Sequence, residues 1–390
     1  MIAITAARLF TPLIQIERPL VFIEGGRIVE VSSQSVREIP SNAELKDFGD
    51  SVLAPGFIDL HIHGGAGHDL MESDPAALPA VQQFLASRGV TSFFPTTVTA
   101  PLDQTLSALD RLAAAIESAD NSQSSGIRQA IPRGIHLEGP FLSHKRRGVH
   151  PAENLLPPTL KAFEQFWQAA RGHIRVITIA PELEGACEVI AEAAKRGICV
   201  SLGHSDATLA EARRGVTAGA RHATHTFNAM RPLSHRDPGI LGEVLTNPNL
   251  SADIIPDGFH LEPSIVKLFL KSKGPENTVL ITDGLSATGM PQGNYQLGSL
   301  NVEVKDGKCL ANGVIAGSVL TMDGAVRNVM KFGDWDLQNA LRTATLNPAR
   351  VTGLANTGKL QAGAEADLVV LSPSGEVRNT IVRGCIDPSR

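Results

Sequence analysis

The stretch APGFIDLHIHG, residues 54–64, is the part of the sequence that decides the fold. It has the pattern of a buried strand, and it closes with His61 and His63. Side chains two residues apart on a strand face the same side, so both imidazoles are expected to point together. A His-x-His pair at a strand end is consistent with a metal site. The remaining ligands of such a site would have to come from other strands.

The pattern of this first strand recurs, and apolar runs alternate with amphipathic helical patterns along most of the chain. The alternation predicts right-handed crossovers and a parallel sheet, and eight runs predict an α/β fold closed as a TIM-type (β/α)8 barrel. An open doubly wound sheet would carry a Gly-rich phosphate-binding fingerprint after its first strand, and the sequence has none. The eight runs are 57–64, 90–98, 134–140, 174–182, 199–205, 222–230, 250–260 and 279–284. Helical patterns between them include 75–87, 102–118, 184–196, 207–218 and 263–271.

Strand patterns without helices are predicted at both ends of the chain. Residues 21–23 and 28–31 flank Gly25 and Gly26, which is a hairpin signal because glycine readily adopts positive φ. Residues 366–371 (ADLVVL) and 380–382 also have strand patterns.

Polar side chains close most of the apolar runs. Barrel enzymes carry their catalytic groups at the C-terminal ends of several strands, around one mouth. These run ends therefore predict one shared site. The residues are His61, His63, Glu138, Glu182, His204, His225, Asp257, His260 and Asp283.

Imidazoles and carboxylates together are a ligand set that suits zinc, iron or manganese. We expect the metal ligands among His61, His63, Glu138, His204 and His225. A metal in such a site acidifies water and polarises a carbonyl, which predicts a metal-dependent amide hydrolase. Asp283 would orient the water, take its proton and pass that proton to the leaving nitrogen. An aspartate before glycine is otherwise typical of a turn, and its place at the end of the last run favours catalysis.

Two further histidines are interpreted as structural. His222 is three residues from His225, so on one strand the two side chains would face opposite ways, with His222 toward the helices. His136 shares a face with Glu138 but lies one layer deeper, where side chains fill the barrel.

Composition excludes several classes of function. The 390-residue chain has a net charge of -5, which disfavours a surface for nucleic acid or anionic membrane. Its N-terminus lacks the basic and long apolar regions of a signal peptide, and no run is long enough to span a bilayer. The four cysteines have no CxxC spacing. We therefore expect a cytoplasmic protein with a small-molecule substrate.

Several motifs resemble those of the amidohydrolase superfamily over nearly the whole chain. GIHLEGPFLSHKRRGVHP (134–151) and ATHTFNAM (223–230) are specific, whereas GKLQAGAEADLVVL (358–371) is general to the superfamily. The other matching stretches are residues 54–64, 177–182, 202–208, 235–239, 254–260, 281–284 and 315–322. The resemblance implies a small β-sandwich domain formed by residues 1–53 plus 355–390. It also implies a catalytic barrel domain formed by residues 54–354.

Within that superfamily the chain resembles the branch that removes the acetyl group from N-acetylglucosamine 6-phosphate, giving glucosamine 6-phosphate and acetate. The resemblance implies that Glu138, His204 and His225 bind the principal metal, and that Asp283 is the catalytic acid–base. His61 and His63 imply a second metal bridged by Glu138. One or two divalent ions per subunit are therefore expected, zinc first, with iron, manganese or cobalt as alternatives.

The same resemblance implies a set of substrate contacts and a homodimer. Arg236 would reach the phosphate from the neighbouring subunit, and its planar fork suits a phosphate group. The loop of Ile315, Ala316 and Gly317 would line the acetyl end of the substrate. The other implied contacts are His150, Asn228, the backbone of Ala229, and His260.

Alternative functions remain open at this stage. N-acetylgalactosamine 6-phosphate differs from the first substrate in one hydroxyl configuration, and a D-aminoacylase-like enzyme would take an acylated amino acid. A cyclic amidase is disfavoured because the fourth run has no lysine to bridge two metals. A non-catalytic sugar-phosphate-binding barrel would be expected to lack a ligand or Asp283, and all are present.

Overall fold

Strands and helices alternate through the middle of the chain, and strands predominate at both ends. The computed structural model describes residues 1–121 and 129–386. The strands are β1 (Ile2–Thr5), β2 (Arg8–Phe10), β3 (Gln15–Glu17), β4 (Pro19–Glu24), β5 (Arg27–Ser33), β6 (Glu44–Asp47), β7 (Val52–Pro55), β8 (Phe57–Ile62), β9 (Gly64–Gly65), β10 (His68–Asp69), β11 (Val90–Thr97), β12 (Ile131–Pro132), β13 (Ile135–Glu138), β14 (Ile174–Ile179), β15 (Cys199–Leu202), β16 (His222–Ala223), β17 (Ala252–Ile254), β18 (Thr278–Leu280), β19 (Gly293–Leu297), β20 (Leu300–Lys305), β21 (Lys308–Ala311), β22 (Val314–Ile315), β23 (Leu368–Leu371) and β24 (Val377–Ile381). The helices are α1 (Ala77–Ser87), α2 (Leu102–Asn121), α3 (Leu160–Ala169), α4 (Ala186–Lys195), α5 (Leu209–Ala218), α6 (Gly239–Thr246), α7 (Pro263–Asn277), α8 (Met322–Gly333), α9 (Leu337–Ala344) and α10 (Leu346–Val351).

The strands in the middle of the chain form a closed parallel barrel. β8, β11, β13, β14, β15 and β16 pair in that order, and β17 pairs with β18. Backbone hydrogen bonds close the two gaps. Ala223 N donates to Ser251 O (3.0 Å) between β16 and β17, and Asp283 N donates to His61 O (2.9 Å) beside β8. This is the TIM-type arrangement that the eight runs predict.

The five helical patterns named from the sequence begin within two residues of the observed starts of α1, α2, α4, α5 and α7, whereas α3, α6 and α8 to α10 are not among them. α5 begins two residues after the predicted start because Thr208 is its N-cap, and Thr208 forms a capping box with Glu211. α7 continues six residues past the predicted end, across a kink at Gly274 where φ is 66°. Among the described helices, none combines the length and the apolarity needed to cross a membrane.

Two predicted strands are much shorter than the runs that predicted them. The run 222–230 contains only the two-residue strand β16, and the run 250–260 contains only β17. After β16 the backbone enters left-handed conformations at His225, Phe227 and Ala229, which end the strand.

Both ends of the chain contribute to one antiparallel-rich sheet. β23 pairs with β7 in the order β24-β23-β7-β2-β3, and a second sheet has the order β5-β4-β1-β6. The predicted hairpin is confirmed, since β4 and β5 pair around Gly25 and Gly26 at φ 55° and 74°. Apolar side chains of both sheets, such as Ile4 and Leu53, share one buried cluster. The boundaries of a separate domain, 1–53 plus 355–390, stay a prediction, and residues 387–390 lie outside the described part.

An antiparallel sheet of β19 to β22 follows the last barrel strand and was not expected from the sequence. Its tight turns include Asp306-Gly307 and Asn312-Gly313, with positive φ at all four residues. Buried residues of this sheet pack against Leu285 and Ala316. The sheet thereby lies next to the C-terminal end of the barrel.

Candidate metal centre

Six side chains from five strand ends converge at the C-terminal mouth of the barrel. His61 is the penultimate residue of β8, His63 follows the strand directly, and Glu138 ends β13. The remaining three are His204, His225 and Asp283, which follow β15, β16 and β18. All six are buried.

The Glu138 carboxylate lies between two pairs of histidines. Its Oε2 is 3.3 Å from His61 Nε2 and 3.2 Å from His63 Nε2. Its Oε1 is 3.2 Å from His204 Nε2 and 3.1 Å from His225 Nε2. Asp283 Oδ1 is 3.4 Å from His61 Nε2 and 3.2 Å from His63 Nε2. The Glu138 carboxylate can thus be shared by two adjacent metal positions, one at each histidine pair. Asp283 lies beside the pair of His61 and His63.

These spacings fit a divalent ion. Ligand atoms about 2.1 Å from a shared ion lie about 3.0–3.4 Å apart for octahedral to tetrahedral angles. The ring orientations fit as well, because His63 Nδ1 is 3.2 Å from Thr96 O and His204 Nδ1 is 2.9 Å from Arg146 O. A carbonyl oxygen only accepts, so both Nδ1 atoms carry hydrogen. In the neutral rings, the Nε2 lone pair then faces a carboxylate oxygen of Glu138, and the two repel each other. A cation bound by both Nε2 and the carboxylate would remove this repulsion.

His150 has the opposite tautomer. Thr99 N donates to His150 Nδ1 at 3.2 Å, so Nδ1 of the neutral ring is the acceptor and Nε2 carries the hydrogen. His150 Nε2 is 3.6 Å from Glu138 Oε2. It therefore lies beside the centre as a hydrogen-bond donor rather than as a lone-pair ligand.

Crowding of charged groups determines the titration of the centre. Burial opposes ionisation of Glu138, but the charge of His61 and hydrogen bonds from other histidines hold its pKa well below the ordinary value. Burial likewise opposes ionisation of Asp283, yet His61 and His63 lower its pKa. Burial opposes protonation of His63, whereas hydrogen bonds to Asp283 and Glu138 raise its pKa to about 10. The carboxylates are therefore ionised, and a cation entering the centre must displace protons.

Three residues of the centre have left-handed backbone conformations. φ is 47° at His204, 30° at His225 and 50° at Asp283. Such conformations cost an L-residue roughly 1–2 kcal/mol, and clusters of them are typical of functional sites. Each is held by hydrogen bonds from neighbouring elements, for example Ser318 N to Asp283 O at 2.8 Å.

The predicted substrate residues differ in their contacts and in their exposure. Asn228 is adjacent, because its N and Nδ2 donate to His225 O at 2.9 and 3.3 Å, and Ala229 next to it has φ of 49°. His260 is fixed by Asp257, with 2.7 Å between His260 Nδ1 and Asp257 Oδ2. Arg236 is exposed, and among the described residues it has no ion-pair partner.

The loop of Ile315, Ala316 and Gly317 passes beside Asp283. A Cβ atom on Gly317 would lie 3.0 Å from Asp283 O, and Gly317 has φ of 62°, so both space and conformation favour glycine. Ala316 is buried, whereas Ile315 is partly exposed at the mouth.

The two histidines interpreted as structural do not join the ligand set. His136 hydrogen-bonds to Leu60 O (3.0 Å) and Thr178 Oγ1 (2.8 Å), in a layer beneath His61. His222 hydrogen-bonds to Ser251 and Asp253 on the neighbouring strand, so the expectation that it points toward the helices is wrong. The parity argument fails because β16 ends before His225.

Two buried aspartates of the site were missed by sequence reasoning. Asp59 Oδ1 accepts from His61 N at 3.3 Å, and Asp59 Oδ2 accepts from Thr282 Oγ1 at 2.5 Å. Burial raises the pKa of Asp59 to about 6. Asp253 accepts a hydrogen bond from the backbone of His225. Asp59 could have been found, because it shares the strand face of His61 and His63.

Comparison with known protein families agrees with this geometry. The model described as "Amidohydrolase family" matches residues 52–386. The chain belongs to the amidohydrolase family. The superfamily resemblance predicted from the sequence is thus confirmed, and the barrel mouth of this amidohydrolase is where its candidate ligands converge.

Relatives of this amidohydrolase match it over most of their length. The N-acetylglucosamine-6-phosphate deacetylase of Bacillus subtilis (strain 168) is 36% identical over 373 residues, 95% of this chain and 93% of the relative. The enzyme of the same name from Bos taurus is 38% identical over 377 residues, 93% and 90% of the two chains. The N-acetylgalactosamine-6-phosphate deacetylase of Escherichia coli O157:H7 is 35% identical over 360 residues, 92% and 93% of the two chains.

A solved structure is similar over almost the entire fold of this amidohydrolase. It is a mutant of the N-acetyl-D-glucosamine-6-phosphate deacetylase of Mycobacterium smegmatis in complex with N-acetyl-D-glucosamine-6-phosphate. The TM-score is 0.90 at 32% identity, and the match covers 98% of each chain.

Proposed function

We propose that this amidohydrolase removes the acetyl group of N-acetyl-D-glucosamine 6-phosphate, giving D-glucosamine 6-phosphate and acetate. The observation that carries the proposal is the position of Glu138 between two histidine pairs, with Asp283 beside one pair. Relatives of that activity match the chain nearly end to end.

We infer that the centre holds one or two divalent ions per subunit, with zinc first and iron, manganese or cobalt as alternatives. Glu138, His204 and His225 would hold the principal ion, and His61 and His63 with Glu138 a second. A bound ion of this kind supplies the acidification of water and the polarisation of a carbonyl.

The protein side chains would then move protons and hold the substrate. Asp283 is ionised and close to both histidines of the first pair, so its carboxylate can accept the proton of the attacking water. The protonated Asp283 returns that proton to the amino group as it leaves. The Nε2–H of His150 can donate to the amide carbonyl oxygen as negative charge develops there.

The phosphate end of the substrate would be held away from the reacting bond. Asn228, the Ala229 backbone and His260 are the proposed contacts within the subunit. Arg236 would reach the phosphate of a neighbouring subunit in a homodimer, and its exposure without an ion-pair partner among the described residues fits that role. Fixing a remote phosphate holds the acetamide at the ion, which lowers the barrier by positioning.

Acetate release from a panel of substrates tests the proposal. Metal-depleted protein is compared with protein restored with zinc, manganese, iron or cobalt. The expected result is metal-dependent acetate release from N-acetylglucosamine 6-phosphate, and much weaker release from N-acetylglucosamine or an N-acetyl-D-amino acid. No acetate from the phosphorylated sugar with any restored metal would reject the proposal, and preference for the amino acid would favour a D-aminoacylase-like enzyme.

N-acetylgalactosamine 6-phosphate is a second candidate substrate, because one of the relatives is named for that activity at 35% identity. If kcat/KM is higher for N-acetylgalactosamine 6-phosphate than for N-acetylglucosamine 6-phosphate, the galactosamine derivative is the substrate. The proposed chemistry is the same for both sugars.

We also propose a cytoplasmic location for this activity. All four cysteines are free thiols, which is usual in a reducing compartment.

A further inference from the structure

His225 lacks the contact that usually orients a metal-binding imidazole. Such a ring normally donates its second nitrogen to a carbonyl or carboxylate. His63 and His204 do so through Nδ1. Among the described residues, the buried Nδ1 of His225 has no hydrogen-bond partner, and neither does that of His61. The ring of His225 nevertheless places Nε2 3.0 Å from His204 Nε2 and 3.1 Å from Glu138 Oε1. Some other contact must therefore fix the ring.

The backbone of His225 is fixed instead of its ring. φ at His225 is 30°, a conformation that a residue with a side chain rarely adopts. The amide N–H of His225 donates to Asp253 Oδ1, and Thr226 N donates to Asp253 O at 2.9 Å. Asp253 thus holds the two residues at the point where the strand ends and the left-handed turn begins.

Asp253 is itself held by a chain of buried polar groups. Its Oδ2 is 2.9 Å from His222 Nε2, and His222 Nδ1 is 2.7 Å from Ser251 Oγ. Ser251 Oγ donates to Arg221 O at 3.0 Å. Asp253 and His222 are almost fully buried, so little water can replace these contacts. These linked hydrogen bonds fix the orientation of the Asp253 carboxylate, with Oδ1 toward the His225 amide.

We propose that Asp253 is a positioning residue for the metal centre, which sets the direction of the His225 imidazole through its backbone. The inference rests on the proposed metal-dependent function. This role of Asp253 explains why the His225 ring needs no hydrogen bond at Nδ1. It also explains how the left-handed backbone conformation of His225 is maintained at a metal-binding position. His222 and Ser251 support Asp253 through hydrogen bonds.

Metal affinity of Asp253→Ala tests the positioning role. Dissociation constants for Co²⁺ are measured by chelator competition, together with the visible spectrum of the Co²⁺ protein. We expect roughly 10–100-fold weaker binding and an altered spectrum, as for other residues that orient a ligand. We also expect kcat for acetate release to fall while KM for the sugar phosphate stays close to the wild-type value.

Asp367→Ala is the matched control. Asp367 is also a buried aspartate that accepts a backbone N–H, from Arg383 at 2.7 Å, but it lies in the sheet shared by the chain ends. Asp367→Ala should lower the free energy of unfolding and leave Co²⁺ affinity and spectrum unchanged. Asp253→Val keeps more of the side-chain volume and has no acceptor oxygen for the His225 amide, so it serves if Asp253→Ala does not fold, with weaker Co²⁺ binding again expected.

The outcomes separate this inference from the proposed function. If the wild-type protein binds Co²⁺ and releases acetate while the Asp253 variants match its affinity and spectrum, the positioning role is rejected and the function stands. If the wild-type protein binds no divalent ion, both are rejected.

Discussion

Individual histidines of the centre differ in which ring nitrogen carries hydrogen, and that difference assigns separate roles. His204 donates Nδ1–H to Arg146 O, which leaves its Nε2 lone pair for a metal. His150 accepts at Nδ1 from Thr99 N, which leaves Nε2–H to donate. We expect His150→Ala to keep its metal and to lose about 10²–10³-fold in kcat, the size typical of a lost oxyanion donor. His204→Ala should instead lose metal.

Metal analysis after dialysis, with acetate release in parallel, checks both variants. Loss of metal from His150→Ala equal to that from His204→Ala would mean that His150 is a ligand.

Asp283 is predicted to act in proton transfer. Asp283→Asn keeps the shape of the side chain but removes the group that accepts a proton. Turnover should fall by at least ~100-fold, the size typical of acid–base catalysis. The measurement is kcat at saturating metal, and a rate near that of the wild type would exclude Asp283 from the mechanism.

Residue positions could be predicted where the strand pattern reached them. His61 and His63 follow from strand parity, and Glu138, His204 and Asp283 follow from the ends of apolar runs. Asp253 could not be predicted, because its role depends on a neighbouring strand whose register the sequence does not state. The left-handed φ at His225 is equally invisible, since tertiary hydrogen bonds impose it.

Among the structural elements, the exposed loop of residues 232–237 carries Arg236, which we propose reaches the phosphate of a neighbouring subunit. If Arg236 binds phosphate, Arg236→Ala should reduce the preference for the phosphorylated over the plain sugar by about 10–100-fold, the worth of a charge-assisted hydrogen bond. The measurement is the ratio of kcat/KM for the two sugars. Arg214→Ala, an arginine with 61% of its side chain exposed, is the control and should leave that ratio unchanged.

Combining two impaired variants in one dimer tests whether Arg236 acts across subunits. A heterodimer of Arg236→Ala and Asp283→Asn contains one site with both residues intact. Co-expression should restore activity in about a quarter of the sites if subunits pair at random. No restoration, with mixed dimers demonstrated, would place Arg236 in the site of its own subunit.

Lys273 on α7 stabilises the end of another element, α6. Its Nζ is buried and donates to Val244 O and Asn247 O, both at 2.9 Å, and to Leu250 O. Lys273→Met should lower the free energy of unfolding by about 2–4 kcal/mol, because buried carbonyl groups lose their donor. Urea unfolding checks this value. Lys267, on the same helix as Lys273, makes only an exposed ion pair with Asp334 after α8, so Lys267→Met should cost less than about 1 kcal/mol.

The eight barrel strands and five of the helices could be predicted from hydrophobic periodicity, but the lengths of some strands could not. The sixth run predicts a strand beyond Ala223, where residues 224–226 are buried but no longer form a strand. The sheet of β19 to β22 had a readable signal in Asp306-Gly307 and Asn312-Gly313, each between short alternating segments.

At the scale of the whole molecule, one arginine connects the barrel to the C-terminal segment. Arg133, just before β13, pairs with Glu365 and lies 3.3 Å from Asp367 Oδ2. Burial raises the pKa of Asp367 to about 6. The positive charge of Arg133 lowers this pKa, and the negative charge of Glu365 raises it.

The raised pKa of Asp367 gives a pH-dependent stability. The folded protein binds this proton more tightly than the unfolded chain, so the stabilisation is present below about pH 4 and is lost as pH rises through about 6. Relative to Asp367→Asn, which does not titrate, the wild type should lose about 2–4 kcal/mol between those limits. Urea unfolding of both metal-free proteins at several pH values measures it. A difference that is constant with pH would contradict the assignment.

The closed barrel could be predicted as a whole because eight alternating runs leave few topologies. How the chain ends meet could not be predicted from the same pattern. The patterns at 366–371 and 380–382 predict strands but do not predict which strands they pair with. Only the structure shows that β23 pairs with β7 in the antiparallel direction.

The pairing of β7 with β23 has a consequence for synthesis on the ribosome. β7 emerges before the barrel, whereas β23 is translated roughly 300 residues later. At ~5–20 residues per second the nascent chain exposes the unpaired edge of β7 for roughly 15–60 s. An open strand edge is a template for intermolecular pairing, so nascent chains can pair with one another through β7 during this interval.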